Sequence, residues 1–173
     1  MTIFVDMDEV LADTYQAHID LYNCEFNAKL SRDDCKGKEV WLCVPEDHQQ
    51  TVKDHTNRIG FFRDLPLIEH CQEVMRELCG RYEVYIASAA MQFPNSLKEK
   101  SDWLDRYFPF IHWRYRILCG DKHILNGDVL IDDRSYNLKN FSGRALLFTS
   151  PHNTAETGFE RVDTWPQIAE KLL

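Results

Sequence analysis

The stretch Ile3-Phe4-Val5-Asp6-Met7-Asp8-Glu9-Val10-Leu11-Ala12-Asp13 decides the fold. It opens with a short run that is apolar along its whole length, as expected for a strand buried on both faces, and the run stops at an acid. Three more such runs follow: Val84–Ala87 before Ser88, Val129–Ile131 before Asp132-Asp133, and Ala145–Phe148 before Thr149. Arg116–Cys119 is a weaker fifth. Helical patterns lie between them. Leu67, Cys71, Val74, Met75 and Leu78 share one face, with Gly80 as a stop. Leu97, Ser101, Leu104 and Phe108 repeat the spacing after a cap at Asn95 or Ser96, and a last helix opens near Thr164 with Pro166 in its first turn. Strands alternating with helices predict an α/β protein, a Rossmann-like parallel sheet with helices on both faces.

One stretch breaks the alternation. Between Asp13 and Pro66 there is no strand pattern, but Tyr15, Ile19, Tyr22 and Phe26 form a helical stripe and Glu46–Arg58 reads as a second, polar helix. Structureless loops of that length are uncommon. The expected organisation is a core of residues 1–13 and 66–173, with a small helical cap over residues 14–65.

The chain of 173 residues suits one domain, and its 44% hydrophobic and 28% charged residues are ordinary globular composition. The net charge of −8 disfavours nucleic-acid polymers and anionic membranes as partners, though not a small phosphate held at a local positive site. No apolar run approaches the roughly 20 residues of a membrane span, and Met1 leads directly into the first strand without a cleavage-type segment. That start makes a cytoplasmic location the expectation, and the six cysteines, none in CxxC spacing and several at apolar positions of predicted helices, read as reduced thiols.

In open parallel sheets, ligands bind outside the carboxyl ends of the strands. Asp6, Asp8, Ser88, Asp132 and Asp133 should therefore converge on one crevice, with Lys122 close by as its single ammonium. Two carboxylates about 4 Å apart repel by about 4 kcal/mol at an effective dielectric near 20. A divalent cation resolves the crowding, and an all-oxygen donor set suits Mg²⁺. Such a site suggests phosphoryl chemistry. Asp6 would attack phosphorus, and Asp8 would protonate the leaving oxygen and then activate water. Ser88 and the amides after it, beginning with Ala89, would hold phosphate oxygens together with Lys122.

These motifs resemble a known family. Asp6-Met7-Asp8-Glu9-Val10-Leu11-Ala12-Asp13, Ser88, Lys122 and Asp132-Asp133 are similar to the four motifs of haloacid dehalogenase superfamily phosphatases. Gly60-Phe61-Phe62, Asp121-Lys122 and Phe148-Thr149 followed by His152-Asn153 narrow the resemblance to the 5'(3')-deoxyribonucleotidases, in particular their bacterial branch. The resemblance implies hydrolysis of nucleoside 5'- or 3'-monophosphates by a monomer or homodimer. It implies a metal held by the Asp6 side chain, the Asp8 carbonyl and Asp132, with Asp133 nearby or acting through water. The sequence departs from animal members at Glu9 (Gly there), Thr14 (an aromatic residue there) and Gly120 (Arg there), which alters the nucleoside pocket.

Trp41 in the cap could stack on a base or simply pack the cap, and Arg134 beside the metal acids could bind phosphate. Phe61 and Phe62 read as packing at the cap hinge, His152 as a structural histidine, and the other histidines show no metal-ligand spacing. The alternatives are a phosphatase of another small phosphate such as a sugar phosphate, a phospho-accepting signalling module, and a silent binding protein on the same scaffold.

Overall fold

The computed structural model describes residues 1–173. Six strands, β1 (Thr2–Val5), β2 (Glu83–Ser88), β3 (Arg116–Leu118), β4 (Val129–Asp132), β5 (Arg144–Phe148) and β6 (Glu160–Val162), form one sheet in the order β3-β2-β1-β4-β5-β6. Every neighbouring pair is parallel. The helices are α1 (Thr14–Phe26), α2 (Glu46–Asp54), α3 (Cys71–Arg81), α4 (Ser96–Tyr107), α5 (Ser135–Leu138) and α6 (Trp165–Leu172). This is the α/β architecture that the strand pattern predicts.

The chain builds β1, β2 and β3 outward in one direction, then crosses back to lay β4, β5 and β6 on the other side of β1. The sheet's switch point thus lies between β1 and β4, where Val5 pairs with Ile131. Alternate residues face opposite sides, as the pleat requires. Ile3, Val5, Ile86 and Ile131 join the larger core with Met75, Leu78, Trp103, Leu104, Trp165 and Ile168. Phe4, Ala87, Leu130 and Leu147 face a smaller cluster closed by Leu125 and Leu138. The buried Trp103 and Trp165 indoles donate to the carbonyls of Leu65 (2.8 Å) and Val10 (2.7 Å), satisfying their polar edges and tying the loops after β1 and before α3 to the core. Gly143 is required by close approach, since a Cβ there would lie 2.5 Å from the Gly127 carbonyl oxygen.

The segment after β1 contains α1, α2 and short 3-10 turns, the bridge between Ala12 and Leu67 closes its base, and the Gly37 amide donates to the Pro151 carbonyl (2.8 Å). Tyr15, Ile19, Tyr22, Cys35, Val40, Val44 and Val52 form a hydrophobic cluster of their own in this segment. All six cysteines are free thiols. No helix is long and apolar enough to cross a membrane.

Three expectations need correction, and one strand is additional: β6 leaves no apolar run, because Glu160-Arg161-Val162 has only one buried residue. The helix expected from Leu67 to a stop at Gly80 begins at Cys71 and carries Gly80 within it, ending at Arg81. The polar helix over Glu46–Arg58 ends its α-helical part at Asp54 and tightens into a 3-10 turn over His55–Asn57. Most consequentially, α4 is rotated from the predicted stripe. Leu97 is exposed, whereas Ser96, Glu99, Lys100, Trp103 and Leu104 are buried. Two charged residues therefore take inward positions where hydrophobicity alone would not place them.

Candidate active site

Register brings the acids together. The amide of Asp6, the residue after β1, donates to the Ile131 carbonyl of β4 (2.9 Å), which sets Asp6 beside Asp132. One carboxylate oxygen from each of Asp6, Asp132 and Asp133 lies within 4.8 Å of the other two, and all three residues are buried. Lys122, buried on the turn before β4, bridges two of them, 2.7 Å from Asp6 Oδ1 and 2.6 Å from Asp132 Oδ2. Asp132 also accepts from the Arg134 amide (2.8 Å) and from Asn137 Nδ2 (3.0 and 3.1 Å), which fixes its orientation.

Asp6 Oδ1 accepts from the Met7 amide (2.7 Å) as well as facing Lys122. Oδ2 has no such partner and is not sealed in the interior, so it faces the cavity that Asp6 lines. Burial raises the Asp6 carboxyl to about 6, against the opposing pull of Lys122 and with Asp132 and Asp8 adding to the rise. Asp133 is pushed well above the usual carboxylate range by burial and by its negative neighbours Asp6 and Asp132. Burial favours the neutral form of Lys122, but Asp132 and Asp6 outweigh it and hold the ammonium charged. The site has an excess of negative charge with hard oxygen donors. Its donor chemistry and spacing fit a divalent cation.

Asp8 is placed by a residue that the sequence did not announce. Lys100 of α4, only 1% exposed, donates to Asp8 Oδ2 (2.5 Å) and to Ser88 Oγ (2.9 Å), with its ammonium 4.9 Å from the Phe62 ring centroid. Lys122 is therefore not the only ammonium at the crevice. Asp8 Oδ1 is buried without a partner, a polar atom left for something the protein itself does not supply. The neighbouring Glu99 accepts from the amides of Gly60 (2.6 Å) and Phe62 (3.0 Å), so one turn of α4 fixes both the acid and the segment leading back from α2. The signal for these two residues was the Ser96, Glu99, Lys100, Trp103 spacing, which hydrophobic periodicity discards because its middle members are charged.

A cavity of about 280 Å³ opens over these groups, close to the lower end of ligand pockets, which run from roughly 300 to 1,000 Å³. Its floor includes Asp6, Asp8, Ala89, Lys122 and Asp133, and its other walls include His18, Trp41, Thr56, Phe61, Phe62 and Arg134. Ser88 is fully buried at the end of β2, behind Lys100. Phe61 and Phe62 pack edge to face and also line the cavity, so packing and pocket formation are not exclusive for them.

Arg134 is not free. It pairs with Glu39 of the inserted segment and lies 3.5 Å from Asp133 Oδ2. His152 is tied down too: Nε2 is 3.1 Å from the Asp133 carbonyl oxygen and the ring stacks on Tyr15. Burial, then the positive charge of Arg134, lowers it to about 4.

Glu9 occupies left-handed backbone at φ 58°, where glycine is favoured. Its buried carboxylate offsets that strain by accepting from the Tyr15 amide (2.7 Å), Thr14 Oγ1 (2.8 Å) and Ser150 Oγ (2.9 Å). Arg32 of the inserted segment completes the set, 3.2 Å away.

A parallel sheet with acids at the ends of its two central strands and a helical segment inserted after the first is the architecture of haloacid dehalogenase-like hydrolases. A family hydrolase from Deinococcus radiodurans, solved with phosphate and sodium, superposes with a TM-score of 0.64 over 96% of this chain and 92% of its own at 13% identity. A second, from Bacillus subtilis bound to magnesium, gives 0.60 over 99% and 97% at 10% identity. At such identities the likeness is one of fold.

Sequence comparison goes further. The family described as "5' nucleotidase, deoxy (Pyrimidine), cytosolic type C protein" matches residues 1–173. The 5'(3')-deoxyribonucleotidase of Bacillus subtilis is 39% identical over 176 residues, 99% of this chain and 98% of its own. A Staphylococcus epidermidis homologue is 40% identical over 166 residues, 96% and 92%. The chain belongs to the 5'(3')-deoxyribonucleotidase family and is a phosphatase of that class.

Proposed function

We propose that the chain hydrolyses nucleoside 5'- or 3'-monophosphates in a Mg²⁺-dependent reaction through an aspartyl-phosphate on Asp6. The observation that carries this reading is the cavity-facing Oδ2 of Asp6, held beside Asp132, Asp133 and Lys122. Asp6 Oδ2 forms a bond to phosphorus while the bond from phosphorus to the nucleoside oxygen breaks. Asp8 gives its proton to that leaving oxygen. It then takes a proton from water, whose oxygen attacks phosphorus, releasing inorganic phosphate and restoring the Asp6 carboxylate. Lys100 orients Asp8 throughout, and Lys122 holds Asp6 and offsets charge on the phosphoryl group, with Ser88 and the Ala89 amide completing the phosphate site.

The Asp6, Asp132 and Asp133 carboxylates with the Asp8 carbonyl would hold the cation. When bound, Mg²⁺ neutralises the crowded acids and the charge that develops on the transferring group.

Residues 14–65 serve as a cap over the core formed by 1–13 and 66–173. Their separate hydrophobic cluster supports this, as do the ion pairs Arg32–Glu9 and Arg134–Glu39, which join them to the core. A 280 Å³ cavity favours a mononucleotide over a polymer. Six free thiols fit a cytoplasmic setting.

A steady-state screen of nucleoside 5'- and 3'-monophosphates beside sugar phosphates, with Mg²⁺ and with a chelator, tests the reading. Mg²⁺-dependent turnover with nucleotides preferred is the expected result. Equal or better turnover of sugar phosphates would overturn the substrate assignment.

A further inference from the structure

The cap wall of the cavity contains a hydrogen-bonded chain that the reaction does not use. His18 of α1 is buried, meets the His55 ring edge to edge (centroids 5.3 Å apart, 23° between planes) and leans on Phe61 (4.8 Å). His18 Nδ1 lies 3.1 Å from His55 Nδ1. His55 Nε2 lies 3.2 Å from Glu25 Oε2, and Glu25 is in turn held by Arg58.

Two imidazole nitrogens at that separation share one proton, so one donates and the other accepts. The Glu25 carboxylate, kept ionised first by its hydrogen bond from Arg58, can only accept. His55 Nε2 must therefore carry a hydrogen. Burial disfavours the charged form of both rings, lowering His55 and taking His18 to about 3, with each ring's neighbours contributing less. A neutral His55 with its hydrogen on Nε2 presents a lone pair at Nδ1. His18 Nδ1 then donates to it, and His18 Nε2 is left with a lone pair. That nitrogen has no protein partner, is not sealed in the interior, and belongs to a residue lining the cavity.

We propose that His18 Nε2, locked as a hydrogen-bond acceptor by the Glu25–His55 chain, reads the nucleobase by accepting an N–H from it, making His18 a specificity-determining residue. The inference rests on the nucleotidase reading. Phe61 and Trp41 in the same cavity supply apolar faces suited to a planar ring. A site that accepts a hydrogen bond from a substrate N–H rejects an analogue lacking it, because the acceptor is left without a partner.

The test pairs substrate with enzyme. The best nucleotide from the screen is compared with its derivative methylated at the base N–H groups. For a uracil or thymine base this is the N3-methyl derivative, since N3–H is the only base donor in the nucleotide. Both are assayed with Mg²⁺ on the wild type and on His18→Leu, which has similar bulk and no acceptor. The wild type should discriminate against the methylated substrate by about tenfold or more in kcat/KM, the cost of one lost hydrogen bond. The discrimination should collapse in His18→Leu, with the loss chiefly in KM, because the interaction is made in ground and transition states alike. A steric penalty from the methyl group would persist in the variant.

Imidazole ¹⁵N spectra of the wild type should show an unprotonated Nε2 at His18, a readout independent of turnover and of how the variant folds. No discrimination in the wild type, equal discrimination in both enzymes, or a protonated Nε2 would overturn the inference while leaving the nucleotidase reading intact. Turnover of phenyl phosphate without turnover of any nucleotide would overturn both.

Discussion

Lys100→Met puts the unannounced ammonium to a quantitative test. The substitution keeps the length and apolar stem of the side chain and removes the charge that donates to Asp8 Oδ2 (2.5 Å) and Ser88 Oγ (2.9 Å). At 2.5 Å and an effective dielectric near 20 the gross attraction is ~7 kcal/mol. Much of that is returned in desolvation and in water reaching Asp8, whose side chain is 31% exposed. A net value of about 2–3 kcal/mol is typical of a hydrogen bond to a charged group. If that energy holds Asp8 at the leaving oxygen, its loss lowers kcat/KM by ~10²-fold at 1.36 kcal/mol per decade. The assay is steady-state hydrolysis of a nucleoside monophosphate and of p-nitrophenyl phosphate with Mg²⁺. The better leaving group needs less help from the acid, so its rate should fall less. Rates within threefold of wild type on the nucleotide, or equal losses on both substrates, would refute the assignment of Lys100 as the residue that positions Asp8.

Other outcomes follow from the same geometry. Asp8→Asn should lose ~10²- to 10⁴-fold in kcat on nucleotides and less on p-nitrophenyl phosphate, measured by phosphate release. Without metal, the raised Asp6 carboxyl binds more protons folded than unfolded, so its contribution to stability falls as pH rises from about 4 to about 6 and is lost in full above that, by ~3 kcal/mol. Mg²⁺ should therefore raise the melting temperature several degrees more at pH 7.5 than at pH 5, and an equal shift at both would contradict the crowded-acid picture. Glu9→Gly relieves the left-handed backbone but strips Arg32, Ser150 and Thr14 of their shared acceptor. A net destabilisation of about 1–3 kcal/mol in urea unfolding is expected, and a more stable variant would show that strain, not the hydrogen bonds, dominates at that position.

The fold was largely legible because buried parallel strands leave continuous apolar runs, and the acids stand where those runs stop. Asp6 and Asp132 could be assigned to one crevice because both stand at carboxyl ends of parallel strands, whereas the adjacency of β1 and β4 is seen only in the structure. β6 escaped because an edge strand with one buried residue has no such run. Lys100 and Glu99 escaped for a different reason. Their inward positions make sense only once their partners, Asp8, Ser88 and the Gly60 and Phe62 amides, are in place, and those partners are 12 to 92 residues away in sequence. The His18–His55–Glu25 chain was invisible on the same ground, because a spacing rule for histidines looks for metal ligands and not for a tautomer set through a neighbour.

The most direct test of the account is to quench the enzyme in acid during turnover of a ³²P-labelled nucleoside monophosphate and map the label by mass spectrometry. Label on Asp6 in the wild type, and neither label nor appreciable turnover in Asp6→Asn, is the predicted result. Label on another residue, or full-rate hydrolysis by Asp6→Asn after contaminating phosphatase is excluded, would contradict it.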